Sequence, residues 1–260
     1  SVMKASDVLF CIFNYHEAEN AEFLYRELST SFDCHIIDAD SGERPADFGG
    51  ATVYLPNVYY GGMMHHAIRM GEIGDYPYLF FICSDVHISH ESLERLTQIL
   101  LSESFDGVGV YCPCHADDSY TWASSSYSRQ GGKRRKVAFI EGMLGMYSRE
   151  VYSHLAPFDD NPHGWGIDIV ACFFARDWGM SCEVDDRLTI THPKGDVKKN
   201  DLARNEARAY IMRYSEGIMI RLYWVLCSLR YATIQPFILP KSYRKWLKFF
   251  LPIYRFFHRH

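Results

Sequence analysis

The chain has 260 residues, 48% of them hydrophobic and 15% aromatic, with a formal net charge of −5. That length and apolar content exclude a disordered chain and suit one large α/β domain with a tail. Eight of the 27 Lys and Arg residues follow Glu216, the last acidic residue, so the part before carries 19 basic against 32 acidic groups, which excludes a basic nucleic-acid groove.

Residues 7–13 read as a strand and 18–29 as a helix, with Ala21, Leu24, Tyr25 and Leu28 on one face. Residues 34–38 and 51–55 read as strands, and 61–71 as a helix. Residues 78–83, Tyr-Leu-Phe-Phe-Ile-Cys, form a continuous apolar run, the pattern of a strand buried on both faces. A helix over 89–101 follows, with Ser89 as its N-cap, and then a strand over 107–111. This alternation predicts a mostly parallel sheet with helices on both faces. Residues 112–136 are polar and Ser-rich, and read as a long surface loop, either solvated or a lid over acceptor or phosphate. Cys112, Cys114 and His115 could be a fragment of a zinc site, but no second pair lies at finger spacing. Cys11, Cys34, Cys83 and Cys172 sit in apolar segments, as reduced buried cysteines do. With no signal peptide at the start, the expectation is a cytoplasmic protein.

Ligands of such sheets bind beyond the carboxyl ends of the strands. Those ends carry Asn14 and Tyr15, Asp38 and Asp40, and Ser84, Asp85 and His87. Acidic strand ends suit a divalent cation and a ribose rather than a bare phosphate, and no dinucleotide or Walker fingerprint follows the first strand. A nucleotidyltransferase would want a Gly-rich, Lys- or Arg-bearing loop at that place, which Asn14, Tyr15, His16 and Glu17 do not make. Asp85 is a ligand candidate for that cation, or else a turn cap. His163, Gly164, Trp165 and Gly166 lead to Asp168 in the first turn of an amphipathic helix, where the helix dipole favours an ionised carboxylate that could act as general base. His192, before Pro193 at the end of a strand-like stretch, could complete a Mn²⁺-type site with Asp85. His87 is a further candidate whose direction strand alternation leaves open. Lys194, Lys198 and Lys199 form either a solvated loop or one that closes over a diphosphate.

In this order and spacing, residues 7–195 resemble glycosyltransferases of the GT-A type, family 2 and its relatives. Phe13, Asn14 and Tyr15 resemble the first nucleotide-contact strand end, and the 36–41 segment with Asp38 and Asp40 the second, whose acidic residue contacts the nucleoside. Asn57 with Gly61 and Gly62 is similar to the stretch before the donor-side helix. Cys83, Ser84 and Asp85 resemble the Asp-x-Asp metal motif, with Cys83 in place of the first Asp. Glu141 with Gly142, and Phe158, Asp159 and Asp160, resemble segments leading to the base. Ile167 and Asp168 resemble the Glu-Asp helix, with Ile167 in place of Glu.

The resemblance implies an α/β GT-A domain over 1–200 with flanking helices, and a helical, basic and aromatic extension over 201–260. It implies transfer from a nucleotide-diphosphate sugar to a glycan or lipid-linked acceptor by inversion, with Mn²⁺ or Mg²⁺ at Asp85 and His192 and Asp168 as base. Phe13, Asn14, Tyr15, Asp38, Asp40, Asn57, Gly61, Gly62, Ser84, Gly164, Trp165 and Lys194 would bind the nucleotide sugar. The two departures leave open a degenerate domain that binds nucleotide or glycan without turnover. Residues 217–240 are broken by Arg221, Arg230 and two prolines, so no membrane span is read there. Residues 243–260 interleave basic and aromatic side chains, as a segment lying on anionic lipid does, or as a helical pair packed on the body. The first alternative implies a peripheral place at the inner face of the plasma membrane and, by analogy, surface polysaccharide biosynthesis.

Overall fold

In a computed structural model the described residues are 1–39, 42–119, 121, 123–193 and 200–214. Asp40, Lys194, Lys198, Lys199 and the tail from 217 onward lie outside them. The elements are β1 (Val8–Asn14), α1 (Ala18–Leu28), β2 (Asp33–Ala39), β3 (Thr52–Leu55), α2 (Tyr59–Ile73), β4 (Tyr78–Cys83), α3 (His90–Ser102) and β5 (Val108–His115) in the first part. Then come β6 (Arg134–Lys136), β7 (Leu144–Ser148), α4 (Arg149–Tyr152), α5 (Ile167–Asp177), β8 (Ser181–Ile190) and α6 (Asp201–Tyr214).

One sheet takes the strand order β3-β2-β1-β4-β7-β5-β8-β6. Neighbours from β3 to β4 are parallel, as are β5 and β8, while β7 runs against both β4 and β5. Strand β6 closes the far edge antiparallel to β8. The reversal at β7 places its first residue at the same sheet edge as the last residues of β1, β4, β5 and β8. That single edge gathers the polar groups considered below.

The apolar runs explain the centre. All seven residues of β1 are buried, because α1 and α2 both pack on it. Phe10 stacks on Phe80 with ring centroids 4.7 Å apart, joining β1 to β4. Burying each such ring contributes about 1.5–3 kcal/mol. Helix α3 begins where expected: Ser89 Oγ accepts the Ser92 N–H at 3.1 Å, and Leu93, Leu96, Ile99 and Leu100 face the core.

The expectation of a surface loop over 112–136 holds for its later part, where 129–133 are exposed, and is overturned for the part before it. Cys112 to His115 continue β5 with every residue buried, and Ser119, Thr121, Ser125 and Ser126 are buried beyond it. Polarity misled because all of these side chains but Ser126 are hydrogen-bonded inside the protein: Ser125 Oγ donates to Phe139 O at 2.7 Å, and Thr121 Oγ1 accepts the Ala123 N–H at 3.1 Å. The zinc alternative goes with it. Cys112 and Cys114 are free and buried, and burial raises both thiols above their usual value, away from the thiolate a metal needs. The basic run 133–136 is partly neutralised, with Arg134 beside Glu103 and Glu183 and Arg135 bonded to Asp186.

Candidate active site

Strand β4 ends at Cys83 and the chain turns at once. The Val86 N–H donates to Cys83 O at 3.0 Å, and the Asn20 amide on α1 donates to Ser84 O at 2.6 Å and Val86 O at 2.9 Å. The Ser84 N–H donates to Phe13 O at 2.8 Å. Two residues on, His87 and Thr191 exchange backbone hydrogen bonds of 2.8 and 3.0 Å, tying this turn to the end of β8. The result is that Asp85 Oδ2 and His192 Nε2, 107 residues apart in sequence, meet at 3.1 Å. His192 is buried, while the Asp85 side chain keeps 41% of its surface exposed. The His87 side chain is itself exposed, and it is its backbone that builds the pair.

Asp168 sits in the first turn of α5, as the sequence implied. Its Oδ2 accepts the Gly142 N–H and its Oδ1 the Ile169 N–H, both at 2.8 Å. The other face of Gly142 is held by Tyr60, whose hydroxyl donates to Gly142 O at 2.6 Å. The approach to α5 requires its glycines: Gly164 and Gly166 have φ of +73° and +89°, and a Cβ on Gly164 would lie 2.3 Å from the Tyr60 ring.

The clamp on Gly142 fixes Glu141 in the interior between these groups. The charges of His192, Asp168 and Asp85 all bear on it, so the four side chains share one site. Burial pushes the Glu141 carboxyl up to about 7, with Asp168 and Asp85 adding to the rise, while a Thr121 hydrogen bond and His192 oppose it. Facing Glu141 Oε2 at 3.8 Å is Nε2 of His115, which burial and the His192 charge lower to about 4. Burial, then Asp85 and Glu141, also raise the Cys83 thiol well above its usual value.

The nucleotide-side candidates are more scattered. Asn14 Nδ2 donates to Asp38 Oδ1 at 2.8 Å, and neither residue has exposed surface, so Asp38 stands behind the strand end. Phe13 is buried against Tyr60, edge to face. Tyr15 is 48% exposed at the edge, and its N–H donates to Ser84 Oγ at 3.4 Å. Asn57 is exposed and accepts the Tyr59 N–H at 3.1 Å. Gly61 packs on the 161–162 backbone, where a Cβ would come within 2.6 Å of two carbonyl oxygens, and Gly62 packs on Val58. Trp165 is half-buried, and its carbonyl accepts the Asn161 amide at 2.9 Å.

Sequence reasoning missed His115, Ser119, Thr121 and Asn20 as parts of this site. His115 had a signal, a histidine at the end of an apolar strand, but the adjacent cysteines drew it toward zinc.

Asp85 and His192 offer a cation one carboxylate oxygen and one imidazole nitrogen, and the imidazole favours a transition ion such as Mn²⁺ over Mg²⁺. Among the described residues no three His, Cys, Asp or Glu side chains are grouped to hold an ion. The pair therefore fits an ion that takes its other ligands from a substrate and water.

No protein-family model matches the chain, and no curated protein does. Among solved structures, that of GalNAc-T7 with UDP, GalNAc and Mn²⁺ aligns over 95% of this chain with a TM-score of 0.56 and 7% identity. This chain spans 55% of the length of that one. The likeness shows the fold: a GT-A architecture, an eight-stranded mixed sheet flanked by helices.

Proposed function

We infer that the protein is a glycosyltransferase that moves a sugar from a nucleotide-diphosphate donor to a hydroxyl of a glycan or lipid-linked acceptor. The observation that carries this is the 3.1 Å meeting of Asp85 and His192 at the carboxyl edge of a GT-A sheet. Support comes from GalNAc-T7, whose solved structure of the same fold holds UDP, GalNAc and Mn²⁺.

Asp85 and His192 would hold Mn²⁺ or Mg²⁺. When bound, that ion supplies positive charge to a departing diphosphate. Asp168 takes the proton of the acceptor hydroxyl as the oxygen bonds to the anomeric carbon and the bond to the diphosphate oxygen breaks, which inverts the centre. The amides of Gly142 and Ile169 fix the plane of that carboxylate. Tyr15, exposed beside Ser84, would meet the nucleoside. The basic, aromatic sequence of 243–260 supports a seat on anionic lipid at the inner membrane face, which suits a lipid-linked acceptor in surface polysaccharide synthesis. Among the described residues no helix is long and apolar enough to cross a membrane.

The same amides favour a second reading. A carboxylate that accepts two backbone N–H bonds is a weaker base, and with Cys83 in place of an acidic residue the domain could bind nucleotide without turnover. A thermal-shift panel of nucleoside diphosphates with and without Mn²⁺ tests both. The expected result is a metal-dependent rise in melting temperature with one nucleotide, lost in Asp85→Asn. Transfer abolished by Asp168→Asn with nucleotide affinity retained selects the enzyme; transfer unchanged by it removes Asp168 as base.

A further inference from the structure

Behind His192 runs a buried line of polar groups that the proposed chemistry does not use. The His192 N–H donates to Ser119 Oγ at 2.8 Å. The same hydroxyl lies 2.9 Å from His115 Nδ1 and 3.4 Å from His192 O. His115 has no exposed surface, and its far nitrogen, Nε2, faces Glu141 Oε2 at 3.8 Å. Both of those atoms are enclosed and without a partner at hydrogen-bond distance. A buried donor and acceptor left facing each other without a bond is costly.

The directions are mutually consistent. With the proton on His115 Nε2 aimed at Glu141, Nδ1 accepts the Ser119 O–H, and the Ser119 oxygen accepts the His192 N–H. Each member then fixes the next. Ser119 grips the main chain of His192, the residue whose ring meets Asp85, and two residues fix Ser119 in turn: His115, on the end of β5, and Tyr127, whose hydroxyl donates to Ser119 O at 3.0 Å.

We propose that His115, acting through Ser119, is a positioning residue that sets the direction of the His192 imidazole toward Asp85. Its place as support for a cation ligand rests on the reading given under Proposed function; its hold on the His192 ring does not.

The test uses the 260-residue chain and two readouts. The first is metal-free: long-range ¹H–¹⁵N correlation of the imidazoles, which reports the His192 ring nitrogens and their contact with Asp85. The second is Mn²⁺ alone, by its binding affinity and by the ¹⁴N modulation that a coordinated imidazole gives in pulsed EPR. In Ser119→Ala and His115→Leu, the His192 ring signals are expected to move and Mn²⁺ affinity to fall at least about ten-fold, with weakened ¹⁴N modulation. His115→Asn, which keeps an acceptor near Nδ1, is expected to fall between these and the wild type. Ser119→Thr, which keeps the hydroxyl, is expected to restore both readouts. Far-UV circular dichroism and melting identify folded variants, and Ser119→Thr guards against a fold that fails without the hydroxyl. Unmoved His192 ring signals in folded Ser119→Ala and His115→Leu overturn the proposal, as does Ser119→Thr behaving like Ser119→Ala. Wild-type protein that binds no Mn²⁺, or binds it equally well as Asp85→Asn, removes the cation reading instead, and the ring signals alone then decide the positioning role.

Discussion

The two halves of the sheet bury different kinds of atom. From β1 through α3, the buried polar side chains among the described residues are four: Asn14, Asp38, Thr52 and Ser84. From β5 to His192 there are twelve, and they include His115, Glu141, Asp168, Asp185 and Asp186. The first half is a hydrocarbon scaffold that presents its polar groups only at the strand ends. The second half carries charge and hydrogen-bonding groups into its interior, where each must find a partner. Asp185 shows the device: it has no exposed surface, and Arg187 and the Tyr111 hydroxyl both bond its carboxylate, with Arg187 reaching on to Glu103. Buried polarity is thus concentrated in the second half, and the first contributes its polar groups, Asp85 among them, at the strand ends.

The largest effect that would break this division is expected in the first half. Phe80→Ala removes a fully buried ring stacked on Phe10 and should cost about 3–5 kcal/mol in urea unfolding. Its loss should be the same at every pH between 4.5 and 7, because no titratable group is disturbed. A pH-dependent loss would mean the halves are not separable.

A smaller effect should appear in the second half, and only against pH. The Glu141 carboxyl is raised to about 7 from 4.5, so the fold favours its neutral form. Its contribution is fully present below 4.5 and is lost as pH rises through 7. His115 is lowered to about 4 from 6.5, so the fold favours the neutral imidazole. Its contribution is fully present above 6.5 and is lost as pH falls through 4. Between 4.5 and 6.5 the two slopes oppose each other. Glu141→Gln should therefore expose a stability that rises with pH by about 1.4 kcal/mol per unit relative to wild type, and His115→Asn the reverse. Parallel stability curves for wild type and both variants would rule out this pair as a buried titrating couple.

The first five elements were legible because hydrocarbon periodicity is a local signal, whereas the strand order, with β7 reversed between β4 and β5, was not. Residues 78–83 announce a doubly buried strand by themselves, and β4 has those bounds. Asp85 and His192, paired on spacing and resemblance, stand 3.1 Å apart in the fold, and Asp168 stands in the first turn of α5. The second half resisted because its polar sequence resembles that of a loop. Ser119, Thr121 and Ser125 are interior residues because partners distant in sequence satisfy them, and no window of residues contains that information. His115 was hidden for the same reason: its proposed role passes through Ser119's grip on His192, and Ser119 lies in a segment the resemblance did not mark.

The smallest effect sharpens the contrast from the other side. Ser89→Ala removes the N-cap of α3 and should cost about 1 kcal/mol by the same urea measurement. The cap is exposed, so water replaces the lost partner, and its removal should leave the nucleotide and Mn²⁺ responses unaltered. A cost near that of Phe80→Ala would show that even the scaffold half depends on polar contacts.

The bridge between His87 and Thr191 uses main-chain atoms alone. A joint of that kind does not depend on which side chains stand at the two positions, provided neither is proline. The two halves are therefore riveted together beside the Asp85 and His192 pair, and the rivet leaves the side chains around it open to change. A sheet edge fastened in this way can be re-dressed without being taken apart.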